Sequence, residues 1–246
     1  MSQDLVALLS KLARRLALSQ SDQQALFEAA STPRHAVKGE CLIKEGRETT
    51  SLVILCRGMA RAVRTLVDGS QQIVAIFVEG ETLNPGELVF SHSRTSVFAL
   101  TPAICLSIPL EKLHRLAFSR PAISRALWLE TAAQAAIQQE WMVWLGQCTA
   151  QARLAHLLCE VTYRLQISER NASDVFDLPL TQQELADILG LSTVHVNRTL
   201  QALRNRNLIE LSRNRLTILD KAGLYEIAEF DLQYLSGLKP SDTGAN

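Results

Sequence analysis

The rhythm of hydrophobic and polar positions changes three times along this chain. Between residues 35 and 110 the apolar runs are short: CLI, SLVIL, QIVAIFV, SVFAL and AICLSI. Turn residues divide them, namely Gly39, Gly46, Gly58, Asp68-Gly69, Gly80, Pro85-Gly86 and Pro102. Runs of this length between such breaks predict the strands of a β-sandwich or barrel. Asp68-Gly69, flanked by two of them, predicts a tight hairpin, because Gly supplies the positive φ that the turn needs.

After Pro109 the period lengthens. Pro121 suits a first helical turn, where its missing N–H would have had no partner. Neither Pro nor Gly interrupts the run from Ala122 until Gly146, and Ile123, Leu127, Ile137, Trp141 and Trp144 return close to one face at helical spacing. A helix near 25 residues spans about 37 Å. With one stripe against the barrel and another free, it could pair with its twin, which makes these five residues the candidate dimer interface. Internal core is the alternative reading of the same stripe. Ala132, Ala133, Ala135 and Ala136 keep the middle of the helix small. Gly146 and Gln147 mark a hinge, and Thr149 can cap the next helix, ARLAHLLCEVTYRL.

The third pattern is LTQQELADILGLSTVHVNRTLQALR, residues 180 to 204. Thr181 with Glu184 three residues on is a capping box, so a helix starts there. Leu185, Ile188 and Leu189 point inward, and Ala186 is small where a second helix must cross. Gly190 suits the left-handed turn that ends the first helix. Ser192 caps the second, which Val196 and Leu200 pin down. That spacing predicts a helix-turn-helix. Thr193, Val194, Asn197, Arg198 and Gln201 then face outward, where side chains can reach base edges in a major groove. The sequel, LIELSRNRLTIL, holds two β-like runs around Ser212-Arg213-Asn214-Arg215, a wing that offers Arg213 and Arg215 to phosphates.

Charge sharpens this reading. The whole chain of 246 residues is neutral, with 25 basic against 25 acidic residues. Yet Leu191 to Arg215 holds five arginines, Arg198, Arg204, Arg206, Arg213 and Arg215, against Glu210 alone. A neutral total thus hides a locally basic face. Hydrophobic content of 47% is that of a globular protein. No apolar run approaches the roughly 18 residues of a spanning helix, and the opening MSQDLVALLSKLARR reads as an amphipathic helix rather than a signal peptide. The expected location is the cytoplasm, with no membrane partner. The five cysteines are scattered without a CxxC, so reduced thiols are expected and no metal site is signalled. No His-x-His occurs for a cupin-like barrel enzyme, with His92 alone in SHS, and no nucleophile triad stands out. The chain is therefore read as no enzyme.

On these motifs the chain resembles the CRP/FNR family of bacterial transcription regulators. The residues that carry the resemblance are GECLIKEG, SLVILCRG with its Gly58, DGSQQIVAIFVEGE, PGEL and, most specifically, LTQQELADILGLSTVHVNRTLQAL. The resemblance implies an α+β fold: a jelly-roll-like, cyclic-nucleotide-binding-type barrel, a long dimerisation helix and a C-terminal winged helix-turn-helix. It implies a homodimer on a pseudo-palindromic operator in double-stranded DNA, with RNA polymerase as a further partner. The corresponding domains are 1–120, 121–147 and 148–237, followed by a polar tail, 238–246, expected to be disordered. The DNA-facing set is Thr181, Gln182, Ser192, Thr193, Val194, His195, Asn197, Arg198, Gln201, Arg213 and Arg215. Many members have Arg-Glu at the positions of Thr193 and Val194, whereas Arg198 is retained, so the family's usual half-site is not implied.

For an effector, the resemblance points to Gly86, Glu87, Arg94 and Thr95 of the phosphate cassette and to Gln138 and Gln139 on the long helix. Anchored on SVFALTP, however, Ser93 takes the arginine position and Arg94 falls one place late, which turns a strand side chain to the other face. Gln138 and Gln139 stand where small hydroxyl residues meet the purine. Cyclic nucleotide is thus the minority reading. An iron–sulfur cluster would need clustered cysteines near the N-terminus, and His35, His92 and His114 are only weak candidates for haem. No cofactor is predicted, and the effector is unidentified or absent.

Overall fold

The computed structural model describes residues 18–169 and 173–238. The amphipathic N-terminal segment and the polar tail from residue 239 onward lie outside the described residues. Packing divides the chain into two compact units. One comprises the described residues up to Val63, Ile76–Ala135 and residues 235–238. The other comprises Arg64–Ala75 and Ala136–Tyr234.

The described residues open with α1 (Gln20–Ala29), capped by Ser19, whose side chain accepts from the Asp22 amide. Strands β1 (Arg34–Ala36), β2 (Cys41–Ile43), β3 (Ser51–Arg57), β4 (Ala60–Thr65), β5 (Gln71–Phe77), β6 (Ser96–Ala99) and β7 (Ala103–Pro109) follow. They form two antiparallel sheets, β1-β7-β3 and β2-β6-β4-β5. Alternate residues of β7 and β3 point inward, as in Leu52↔Ile108 and Ile54↔Leu106. Gly58, at φ +93°, joins β3 to β4, and a Cβ there would lie 2.5 Å from the Pro102 carbonyl oxygen. Only glycine fits so close an approach.

Helix α2 (Leu110–Ser119) then leads into α3 (Pro121–Gln147). One core joins Leu26 and Ala29 of α1, Leu52 and Ile54 of β3, Leu106 and Ile108 of β7, Leu113 of α2, and Ile123 and Ala126 of α3. Polar anchoring adds to it. The Thr82 amide and hydroxyl both donate to Glu130 at 3.1 Å, and Gln134 Nε2 donates to the Thr82 carbonyl at 2.7 Å. Sequence periodicity missed α1 and α2, which are only ten residues each and do not carry a long apolar stripe.

In the second unit α4 (Ala150–Glu169) is the central element, with Leu154, Leu157, Leu158 and Val161 fully buried. Its buried Glu160 accepts from Trp141 Nε1 of α3 at 2.9 Å, from Arg164 at 2.8 Å and from Tyr234 at 3.1 Å. Burial pushes the Glu160 carboxyl above its usual range, against the pull of Arg164 and these hydrogen bonds. His156 shares the cluster: Nε2 meets the Tyr234 hydroxyl at 3.0 Å, Nδ1 meets the Ala228 carbonyl at 3.2 Å, and its ring lies 5.7 Å from Trp144.

The domain boundary read near residue 147 differs from this packing. The last turns of α3 from Ala136 and the hairpin tip Arg64–Ala75 cluster with the second unit. Hinge residues such as Gly146 mark a local break in the helix pattern. They do not report which side chains pack together beforehand.

Burial holds the His156 imidazole below its usual pKa, the Ala228 carbonyl and Glu140 opposing this only in part. The unfolded chain therefore takes up a proton near pH 6.5 while the native one does not. Stability is expected to fall as pH drops from about 7.5 to about 5.5, read as the urea midpoint, and His156→Gln should flatten that dependence.

Candidate nucleic-acid interface

The helix-turn-helix lies wholly within the second unit. Helix α5 (Gln182–Leu189) begins at a complete capping box: the Glu184 amide donates to Thr181 Oγ1 at 3.1 Å, and the Thr181 amide donates to the Glu184 carboxylate at 2.7 Å. Gly190 ends it at φ 63°, ψ 39°, where a Cβ is disfavoured. Ser192 then caps α6 (Thr193–Asn205) by accepting from the His195 amide at 3.2 Å. Leu185, Ile188 and Leu189 of α5 are buried, as are Val196, Leu200 and Leu203 of α6. Two short amphipathic helices thus meet through their apolar stripes and leave one face of α6 outside.

On that face Val194, His195, Asn197, Arg198 and Gln201 are exposed, and Thr193 is half-buried. Thr181, Gln182 and Ser192 are exposed beside it. Asn197 Nδ2 donates to Gln182 Oε1 at 3.4 Å, tying the start of α5 to the outward face of α6. The candidate base-facing residues are therefore brought together on one surface.

The wing is a three-stranded antiparallel sheet of β8 (Val175–Asp177), β10 (Arg215–Ile218) and β9 (Ile209–Ser212), in that order. Arg213 (φ 48°) and Asn214 (φ 66°) form its two-residue turn. Positive φ at both positions is what a type I′ hairpin requires, and Asn tolerates it well. An arginine there is uncommon, and it projects a cation from the tip of the wing. Arg213 and Arg215 are both exposed. Strand β8, which pairs Asp177 with Arg215, carries no strand signal in the sequence. Three residues are too few to show a period.

Not every basic residue of this segment faces outward. Arg204 is half-buried and donates to the Leu211 carbonyl at 2.7 Å, so it ties α6 to β9. The local charge counted along the chain therefore overstates what the surface offers. Arg198, Arg206, Arg213 and Arg215 are the exposed cations.

The candidate effector residues are disposed differently. Gly86 and Glu87 lie in a 3₁₀ turn, Pro85–Leu88. Glu87 is buried and accepts from Asn84, whose amide also accepts from the Val53 N–H and donates to the Ser51 carbonyl. Its carboxylate thus serves to hold the turn against β3. Ser93 is buried, with its hydroxyl donating to the Thr95 carbonyl at 2.8 Å, whereas Arg94 is exposed and Thr95 half-buried. Gln138 and Gln139 are exposed on α3. Of the histidines weighed for haem, His114 Nε2 lies 3.2 Å from the Leu88 carbonyl and His92 Nδ1 lies 3.0 Å from Ser91 Oγ. Cys56, Cys105 and Cys159 are buried, and desolvation pushes their thiols up to about 12, 11 and 12. They are packing residues. Among the described residues no group of three potential ligands is arranged for a metal ion.

The stripe read as a dimer interface needs correction. Ile123, Ile137, Trp141 and Trp144 are buried within the single chain, and Leu127 packs against its core. Helical periodicity identifies an apolar face but not what covers it. Trp128, Leu129, Met142 and Val143 are the large apolar side chains that α3 leaves exposed.

Comparison with known proteins agrees with this geometry. The cyclic nucleotide-binding domain family matches residues 33–120, and the Crp-like helix-turn-helix domain family matches residues 152–227. The chain belongs to the CRP/FNR family of transcription regulators. It is 29% identical over 216 residues to the transcriptional activator protein FnrL of Cereibacter sphaeroides, covering 86% of each chain. It is 28% identical over 219 residues to the nitrogen fixation regulation protein FixK of Azorhizobium caulinodans, covering 87% of each. In fold it is similar to FixK2 from Bradyrhizobium japonicum, with a TM-score of 0.70, 22% identity and coverage of 80% of this chain and 96% of that one. The protein is a DNA-binding transcription regulator, and these relatives are regulators rather than enzymes. Among the described residues no helix is long and apolar enough to cross a membrane.

The capping box gives a direct check on the domain. Thr181→Ala should lower stability by about 1 kcal/mol in urea denaturation, and Thr181→Ser should restore most of it.

Proposed function

We propose that the protein acts as a homodimer on a pseudo-palindromic operator, and that it does so without a cyclic nucleotide. The observation that carries the dimer is the exposed face of α3. Arg125, Trp128, Ala132, Ala135, Gln139, Met142 and Gly146 are all exposed and follow one another at alternating spacings of three and four residues. That is the heptad seam of a two-stranded coiled coil. Small alanines at its middle let two helices approach, and Trp128 (79% exposed) and Met142 (69% exposed) offer apolar contacts toward its ends. Among the described residues nothing covers these two large side chains, and a second copy is the fitting partner.

Two-fold symmetry then sets the DNA geometry. Each subunit inserts α6 into a major groove, with half-sites about one turn, roughly 34 Å, apart. Arg198 pairs with guanine, while Arg213 and Arg215 meet phosphates. Thr181, Gln182 and Ser192 are read as backbone-facing neighbours of these groups. The buried Ser93 and exposed Arg94 support an effector other than a cyclic nucleotide, or none. Family membership supports RNA polymerase as the further partner and the cytoplasm as the location.

Introducing charge on the seam tests the dimer. Trp128→Glu with Met142→Glu should yield a monomer in analytical ultracentrifugation and abolish binding to a two-half-site duplex; a doubly substituted chain that remains dimeric would overturn the seam. Selection of bound duplexes from a random pool tests the DNA reading, with an inverted repeat as the expected product. On that repeat Arg198→Ala should cost about 1–3 kcal/mol and relax preference at one position. Arg213→Ala should weaken all duplexes alike and reduce the slope of log K against log salt by about 0.9 per subunit.

A further inference from the structure

Val194 is the odd member of the outward face of α6. Its neighbours on that face, Thr193, His195, Asn197, Arg198 and Gln201, are all polar or cationic, while Val194 is apolar and 69% exposed. Valine is also a poor choice for an exposed helical position on propensity grounds, since branching at Cβ restricts its side chain there. It sits on the first turn of α6, directly after the Ser192 cap, the part of such a helix that comes closest to base edges. Val194, Arg198 and Gln201 are spaced i, i+4 and i+7, so they form one line along the helix. Val194 and Arg198 are about 6 Å apart along its axis, close to two base-pair steps.

We propose that Val194 helps set the operator sequence by packing on the C5-methyl group of a thymine beside the guanine that Arg198 reads. The inference rests on the DNA-reading role proposed above. In the major groove thymine carries the one apolar group, its methyl, whereas the other base edges present donors or acceptors. Val194 has neither to return. Cytosine N4, adenine N6 or the guanine acceptors placed against it lose water and gain no partner, a cost that the thymine methyl avoids. The discrimination is therefore two-sided: a favourable apolar contact with thymine and a penalty for a polar edge. The Asn197–Gln182 hydrogen bond holds the adjacent amide on the flank of this line, so its position beside the methyl contact is set before DNA arrives.

The test uses the full-length protein and its selected operator. Deoxyuridine replaces each thymidine in turn in the half-sites; it pairs as thymine does and lacks only the methyl group. At one position the wild-type protein should lose about fourfold in affinity per half-site, the factor for one buried methyl group. Val194→Ala should bind the thymine duplex more weakly by a similar factor and no longer distinguish uracil from thymine there. It should keep its dependence on the guanine facing Arg198. Alanine at an exposed helical position preserves the fold, and circular dichroism checks this. Unchanged wild-type affinity at every uracil position, or a Val194→Ala protein that keeps the full uracil penalty, would overturn the inference and leave the DNA-reading role standing. A wild-type protein with no sequence preference at all would overturn both.

Discussion

A carboxylate buried as completely as Glu160 must be matched, and the way it is matched organises the second unit. An unpaired charge in such a place would cost several kcal/mol. Arg164, one turn on in the same helix, supplies the counter-charge at 2.8 Å. Trp141 and Tyr234 supply two neutral donors to the other oxygen. One acidic group thus draws together the end of α3, the middle of α4 and the C-terminal turn. Tyr234 stays protonated, because burial and Glu160 both push its hydroxyl upward, so it remains a donor. His156 extends the cluster to the Ala228 carbonyl at the end of the last helix (Lys221–Ala228). The result is a buried, hydrogen-bonded cluster in the same unit as the helix-turn-helix.

Within that unit little exposed chemistry suffices. The helix-turn-helix needs two caps, one left-handed glycine and a few apolar contacts to hold α6 with one face free. Basic residues divide their labour. Arg204 is spent on the Leu211 carbonyl and ties α6 to the wing, whereas Arg198, Arg213 and Arg215 remain exposed. At the wing tip an arginine adopts a left-handed conformation that most residues avoid. Such a position is tolerated where the hairpin geometry demands it and where a projecting cation is useful.

The first unit uses its polar residues inwardly. Asn84 and Glu87 clasp a 3₁₀ turn, and Thr82, Glu130 and Gln134 fasten α3 to the strand side. Of these, Glu87 was a candidate ligand contact, yet its carboxylate already has Asn84 as a structural partner. Ser93 and Arg94 lie in the bend before β6 rather than within a strand, so that bend, and not strand register, buries the one and exposes the other.

Local chemistry alone determined much of this protein. The caps at Thr181 and Ser192, the turn at Gly190, the short strands between Gly39 and Pro109 and the long helix after Pro121 follow from backbone preferences that act within a few residues. The winged helix-turn-helix and its outward residues were legible for the same reason. What only the tertiary structure decided depends on partners distant along the chain. The stripe of Ile123, Trp141 and Trp144 turned out to be internal core, and the opposite seam of Trp128 and Met142 was left exposed, because periodicity marks an apolar face without naming its cover. Arg204 became a strut and Glu160 a buried hub through contacts with Leu211, Trp141 and Tyr234, which no helical or strand period brings near. A sequence states what a side chain can do; which of those capacities is used depends on what packs against it.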